Sequence, residues 1–431
     1  MSTFYLDSGS INNLIATGSF KGDGSGLTGV VASAAPGGAN QTIQFNDAGA
    51  TSGSGNFTFN KTINQVNLNG YMSGSFLARG LRLNEVEVTP TTDQNDYSPA
   101  GWNDGDPNTA VTLRVSSSFS IKITGLASGG IDDRVAIIEN ASENLVILED
   151  SSSLSSVGNR FDFRNPVFLL PGGTVTLVYD AHYGVWRPIA SSDGTRYGAF
   201  FNEFDDFIGG ATAMTTTATE IGRFSGIATG TGASGQQGTY LVNTTEKPMG
   251  VYQIDTGTTT TGRAIVGSSL VGSIIPGKGQ AMMLTRLANE QITNMAASAS
   301  IWAGWIDVVG ATRVTNAIYW QYASSSALTS SRWQGLVSSA SVSSSLNTVL
   351  GPAVNTNYIW LGIFLNSTWT KATYFYSEDS LTWTIAGMIS SSLPSNAAST
   401  GFGVAINKIA GATQVNCSID LLAHRYDIQR G

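Results

Sequence analysis

Few side chains in this 431-residue sequence could carry acid–base, nucleophilic or metal chemistry: two histidines, His182 and His424, one cysteine, Cys417, and three clusters of carboxylates. A serine or cysteine nucleophile needs a base beside it. The two histidines fall in segments that read as different domains, and neither a Gly-x-Ser-x-Gly elbow nor an HExxH helix accompanies them. His182 therefore reads as an exposed turn residue. Glycoside cleavage needs two carboxyl groups facing one groove. Glu203, Asp205 and Asp206 lie among Phe201, Phe204 and Phe207, while Glu378 and Asp379 occupy a turn. Neighbours on a strand point to opposite faces, so neither cluster supplies a ready pair. Asp104, Asp106 and Asn108 alternate as calcium ligands do, but without the glycine and the final glutamate of an EF-hand, and the run reads as a turn. Cys417 excludes an intrachain disulfide and a cysteine-rich zinc site; with Val415, Ile419 and Leu421 it continues an alternating strand and reads as a small buried hydrophobe. These patterns give no catalytic residue, no metal site and no cofactor.

A literal GxGxxG runs from Gly24 through Gly26 to Gly29. A dinucleotide fingerprint needs a helix to start at its third glycine, whereas Pro36, Gly37 and Gly38 break the following segment. Composition narrows the classes further. Charged residues make up 12% of the chain, against an ordinary ~25%. The net charge of −8 offers no electrostatic footprint for a phosphate backbone, so no nucleic-acid partner is expected. No apolar run approaches a membrane span and no basic-then-apolar leader opens the chain, which predicts a soluble product made in a cytoplasm.

The elements are strands. Residues 1–80 alternate short apolar pieces with glycine-rich turns, and Ile43 with Phe45, then Phe57 with Phe59, form period-two pairs typical of half-buried strands. Residues 81–195 carry apolar strands spaced roughly ten residues apart, which predicts a sandwich or barrel. They end in a hairpin across Ala181-His182-Tyr183. Residues 196–431 have longer strands, at 301–309, 316–322, 358–365 and 371–376, with apolar residues on both faces, as in strands packed on two sides.

Gly18-Ser19-Phe20-Lys21-Gly22-Asp23-Gly24-Ser25-Gly26-Leu27-Thr28 places glycines where an isolated chain could bury little around them. The run resembles the Gly-x-Phe-x-Gly-Asp-Gly-Ser-Gly-Leu-Thr motif of tail fibres and tailspikes of tailed bacteriophages. Ile43-Gln44-Phe45-Asn46 followed by Ser52-Gly53-Ser54-Gly55-Asn56-Phe57-Thr58-Phe59 is similar to segments of the same proteins. The order Ile123-Thr124-Gly125-Leu126, Asn140, Asn159-Arg160-Phe161, Leu170-Pro171-Gly172-Gly173, Tyr179-Asp180 and Trp186 resembles a β-sandwich module of phage fibres. Ser377-Glu378-Asp379-Ser380-Leu381-Thr382-Trp383 resembles the Ser-x-Asp-Gly-x-x-Trp turn of concanavalin-like (lectin or laminin-G type) sandwiches, with Ser380 in the glycine position. A sialidase Asp box fits less well: the run is one residue short, lacks the glycine and has no second copy, so Trp383 reads as a packed hairpin residue.

These resemblances imply an all-β chain: a glycine-rich N-terminal fibre region, residues 1–80, followed by two β-sandwich (jelly-roll-like) domains, a phage-fibre sandwich at 81–195 and a concanavalin-like receptor-binding sandwich at 196–431. They imply a non-enzymatic virion fibre, assembled in the host cytoplasm and homotrimeric. Its N-terminal region would join baseplate or tail proteins, and its distal sandwich would hold a host-surface glycan without membrane insertion. The alternatives are a capsule or lipopolysaccharide depolymerase and a purely structural head or tail decoration fibre. On such a sandwich exposed aromatics would stack on sugar rings, and Tyr322 and Trp333, flanking a serine-rich loop, and Trp369, at the tip of Asn366-Ser367-Thr368-Trp369, are the ligand-binding candidates.

Overall fold

The computed structural model describes residues 39–47, 50–62, 65–68, 84–102, 111–128, 134–192, 199–205, 214, 219–221, 224–237, 250–267, 279–289, 299–306, 316–323, 332–339, 342–343, 349–354, 356–394 and 400–428. The fibre motif at 18–28, the GxGxxG run, the Asp104/Asp106/Asn108 cluster and Asp206 lie outside them. The described chain is all-β and divides into two units, Met1–Leu81 and Arg82–Gly431. No helix among the described residues is long and apolar enough to cross a membrane.

In the first unit Thr42–Asp47, Ala50–Asn60 and Gln65–Leu68 form an antiparallel sheet in that order, with Phe57 opposite Leu68 and Phe59 opposite Val66. The strands form where the period-two pairs lie, but the phenylalanines are not half-buried. Phe45, Phe57 and Phe59 are 44%, 37% and 41% exposed, and no described apolar side chain of this unit is buried. Among the described residues this unit holds one sheet and no second layer to cover them.

The second unit begins with a sandwich. Its larger sheet runs, in spatial order, Val185–Ser192, Thr174–Asp180, Val135–Asn140, Thr112–Val115, Glu85–Val88. The last three strands are parallel neighbours. The smaller sheet is Ile121–Ile123, Val146–Leu148, Val167–Leu169. Between the sheets lie Leu113, Val115, Ile123, Ile138, Leu148, Leu177 and the indoles of Trp102 and Trp186. Buried indole N–H groups need acceptors, and these two donate to Ala127 O and Leu126 O at 2.7 Å each.

From Ala199 a larger sandwich follows. One sheet runs Ser234–Gln237, Tyr252–Asp255, Asn416–Ile428, Ala281–Asn289, Ile359–Leu365, Ala372–Ser377, Thr384–Ile389, with Ala199–Asp205 also on Asn416–Ile428. The facing sheet centres on Gly262–Gly267, Gly401–Lys408, Ala299–Ile306, Ala317–Ala323 and Arg332–Ser339. One apolar core fills the space between them. Cys417 is buried there, as the alternation predicts, together with Ile419. The alternation then breaks: Arg286 pairs Leu421 while Leu287 pairs Ile419, so Asp420 is an extra residue in the ladder. The bulge flips the side-chain parity, and Leu422 instead of Leu421 enters the core. Asp420 turns outward to accept from Arg286 at 2.7 Å.

Candidate functional site

Strands with apolar residues on both faces must be covered twice, and here the two sandwiches cover each other. Val146 and Leu148 face the core of the first sandwich, whereas Leu145 and Ile147 join Leu170, Phe364, Phe375 and Trp383 in a second apolar layer. Phe168 packs edge-on against Trp383, centroids 5.1 Å apart. Inside this layer Lys122 Nζ lies 3.2 Å from Glu149 Oε1 and donates to Trp383 O at 3.0 Å. The second carboxylate oxygen accepts from Ser152 Oγ at 2.6 Å. The buried pair is thus hydrogen-bonded on both partners, which is what makes burying charge tolerable. Trp383 is a packed residue, as the sequence predicts, and its turn closes around Asp379, whose carboxylate accepts from the Leu381 and Thr382 N–H groups. Those bonds hold its pKa below the ordinary carboxylate value against the opposing effect of burial. Ser380 takes φ +67° at the position where the lectin-type turn has glycine.

The three aromatic candidates are not on the surface. Tyr322, Trp333 and Trp369 are 2%, 2% and 3% exposed, within the core between the two large sheets, so none can present a ring face to a sugar. Tyr322 and Trp333 pack on each other across neighbouring strands, and burial pushes the Tyr322 phenol up in pKa. Trp369 does sit at a loop tip, with φ +54°. Asn366, however, accepts the Thr370 and Lys371 N–H groups on its side-chain oxygen and folds the loop back. The indole then donates to Gly279 O at 2.8 Å and packs near Trp305. Tip position in the sequence does not fix side-chain direction.

The titratable candidates stay apart. His182 is exposed in the hairpin of the first sandwich. His424 is buried on Asn416–Ile428 against Phe402, and desolvation lowers its pKa to about 4. Glu203 pairs in register with His424 on the adjacent strand, while Glu378 and Asp379 occupy their exposed turn. Among the described residues no group of three His, Cys, Asp or Glu side chains could hold a metal ion.

A feature the sequence reading missed is Tyr183, the most exposed aromatic among the described residues at 62%. It crowns the hairpin between Thr174–Asp180 and Val185–Ser192. Asp180 accepts the Tyr183 N–H at 3.1 Å and, with its other carboxylate oxygen, the Arg187 guanidinium at 2.6 Å. That guanidinium lies 4.4 Å from the Tyr183 ring centroid. The signal was the bracket Asp180…Gly184, a turn former and a glycine, which places the intervening residues at a hairpin tip.

No family model matches the chain, and no curated protein matches it. Solved structures similar to it include a protein of unknown function from Shewanella oneidensis MR-1, at 14% identity and TM-score 0.40 over 55% of this chain and 91% of that one. A peanut lectin aligns at 11% identity and TM-score 0.36, over 54% of this chain and 100% of that one. The CBM2 module of the evolved Dit of Lactobacillus casei BL23 phage J-1 aligns at 10% identity and TM-score 0.27, over 46% of this chain and 99% of that one. Scores of this size leave the two-sandwich architecture resting on the chain's own sheets and registers.

Proposed function

We propose that this chain is a non-enzymatic fibre protein of a phage virion that attaches noncovalently to glycans on the host surface. The observation that carries the reading is the contrast between the two units. The N-terminal one has a sheet with exposed phenylalanines and no buried apolar side chain among its described residues, whereas the other joins two filled sandwiches through a buried seam. A sheet of that kind gains stability by association, and a homotrimer would supply the second layer. The resemblance of the glycine-rich run at 18–28 to tail-fibre motifs supports a virion location, with the N-terminal region joined to other virion proteins. Several copies holding weak sugar contacts together gain avidity, which removes the need for one tight site.

The test is direct. Full-length protein should sediment as a trimer, bind susceptible cells and release no oligosaccharide from host capsule or lipopolysaccharide. Release of reducing ends would instead favour the depolymerase alternative. Absence of binding to cells or glycans would leave a structural decoration fibre.

A further inference from the structure

We propose that the hairpin tip around Tyr183 is the saccharide contact of this chain, and that its ligand is a neutral hexose or N-acetylhexosamine residue. The proposal rests on the glycan-attachment reading and gives that reading an address, in the first sandwich instead of the second.

Three observations converge. The first is preorganisation: Asp180 fixes the turn by accepting the N–H groups of Tyr183 and Gly184, at 3.1 Å on its carboxylate and 2.8 Å on its carbonyl. It also anchors Arg187, which a second carboxylate, Asp162, contacts at 3.3 Å. The guanidinium backs one face of the phenol, the His182 and Tyr183 rings meet at 87° with centroids 4.7 Å apart, and Tyr183 remains 62% exposed. A ring already held in place loses little further freedom when a ligand stacks on it.

The second observation is the adjoining loop. Gly158 lies against Gly184, where an added Cβ would stand 3.8 Å from the Gly158 Cα. Asp96 pins this loop through Ser156 N–H, Ser156 Oγ and Asn159 Nδ2, at 2.8, 2.7 and 2.9 Å. Val157 on the same loop is 64% exposed. Two hydrogen-bonded loops thus meet at Gly158 and Gly184, and each carries an exposed apolar side chain, Val157 on one and Tyr183 on the other.

The third is the chemistry of the rim. Carboxylate oxygens of Asp162 and Asp180 can accept from sugar hydroxyls and the imidazole of His182 can accept or donate, while the phenol ring would meet the C–H face of a pyranose. Two carboxylates against one guanidinium leave the patch negative, which disfavours sialylated, sulfated or phosphorylated sugars.

Full-length wild type, Tyr183→Ala and Tyr183→Phe would be compared on arrayed neutral hexose and N-acetylhexosamine oligosaccharides, on sialylated and sulfated ones, and on host cells. Wild type should bind neutral members. Tyr183→Phe should stay within about 3-fold of wild type and Tyr183→Ala should lose about 10-fold or more, with melting temperatures unchanged, because an exposed ring contributes binding area and little stability. If wild type binds glycans and Tyr183→Ala binds them equally, the contact lies elsewhere and this proposal fails while glycan attachment stands. If wild type binds cells but no saccharide, and protease treatment of the cells abolishes binding, the partner is a protein and both readings fall. A preference for anionic glycans would overturn the ligand class.

Discussion

Glu149 and Trp383 lie 234 positions apart in sequence, yet the Trp383 N–H donates to Glu149 Oε1 over 2.9 Å inside the apolar layer between the two sandwiches. Lys122 Nζ shares the same oxygen and also donates to the Trp383 carbonyl, so one ion pair caps both backbone polar groups of a residue in the other sandwich.

Removing either charge would strand the other. Lys122→Ala and Glu149→Ala should each destabilise the chain by about 3–5 kcal/mol, with the double variant less destabilised than the sum by about 1–3 kcal/mol. Urea unfolding of the four proteins measures this; additive losses would mean that the pair does not act as a unit.

Residues 196–431 read from sequence as a receptor-binding sandwich of their own. Cut from the first sandwich, that segment would bare Phe364, Phe375, Trp360 and Trp383 on one sheet face. An apolar patch of that kind drives association. The fragment should therefore bind a hydrophobic dye and self-associate in size-exclusion chromatography, whereas a fragment starting at Arg82 should do neither.

The buried aromatics give a separate expectation. Trp333→Ala and Trp369→Ala should each cost about 3–5 kcal/mol, because each opens a large cavity between the two sheets. Denaturation midpoints test it, and any binding defect in these variants should track the unfolded fraction.

His424 sets an acid limit. Burial lowers its pKa from the ordinary 6.5 to about 4, so between those values the unfolded chain binds a proton that the folded chain refuses. Stability from this group is fully present above pH 6.5, falls as pH drops through the window and levels off below about 4, a change of about 3 kcal/mol at most. Melting temperature measured from pH 8 to pH 4 should show this slope, and His424→Phe should flatten it.

Side-chain alternation is a local property, and the sequence by itself determined what alternation can encode: an all-β chain, the hairpin across Ala181-His182-Tyr183, the buried Cys417 and the packed Trp383. It also showed that strands such as Ile359–Leu365 carry apolar residues on both faces and need cover on each. It could not show what supplies the second cover, because the groups that do so are distant in sequence. Only the tertiary structure set Phe168 and Leu145 against Phe375 and Trp383. The same nonlocality explains the errors. At the bulge the Asp420 carboxylate accepts from Arg286 on the neighbouring strand, and the shift moves Leu422 inward in place of Leu421. Trp369 points into the core because Gly279, 90 positions earlier, offers its carbonyl there, while Tyr183 points outward because Asp180 spends its hydrogen bonds on the turn and on Arg187. A residue type and its spacing specify which groups can stack on a ligand; the direction each one faces is decided by partners that only the folded chain brings within reach.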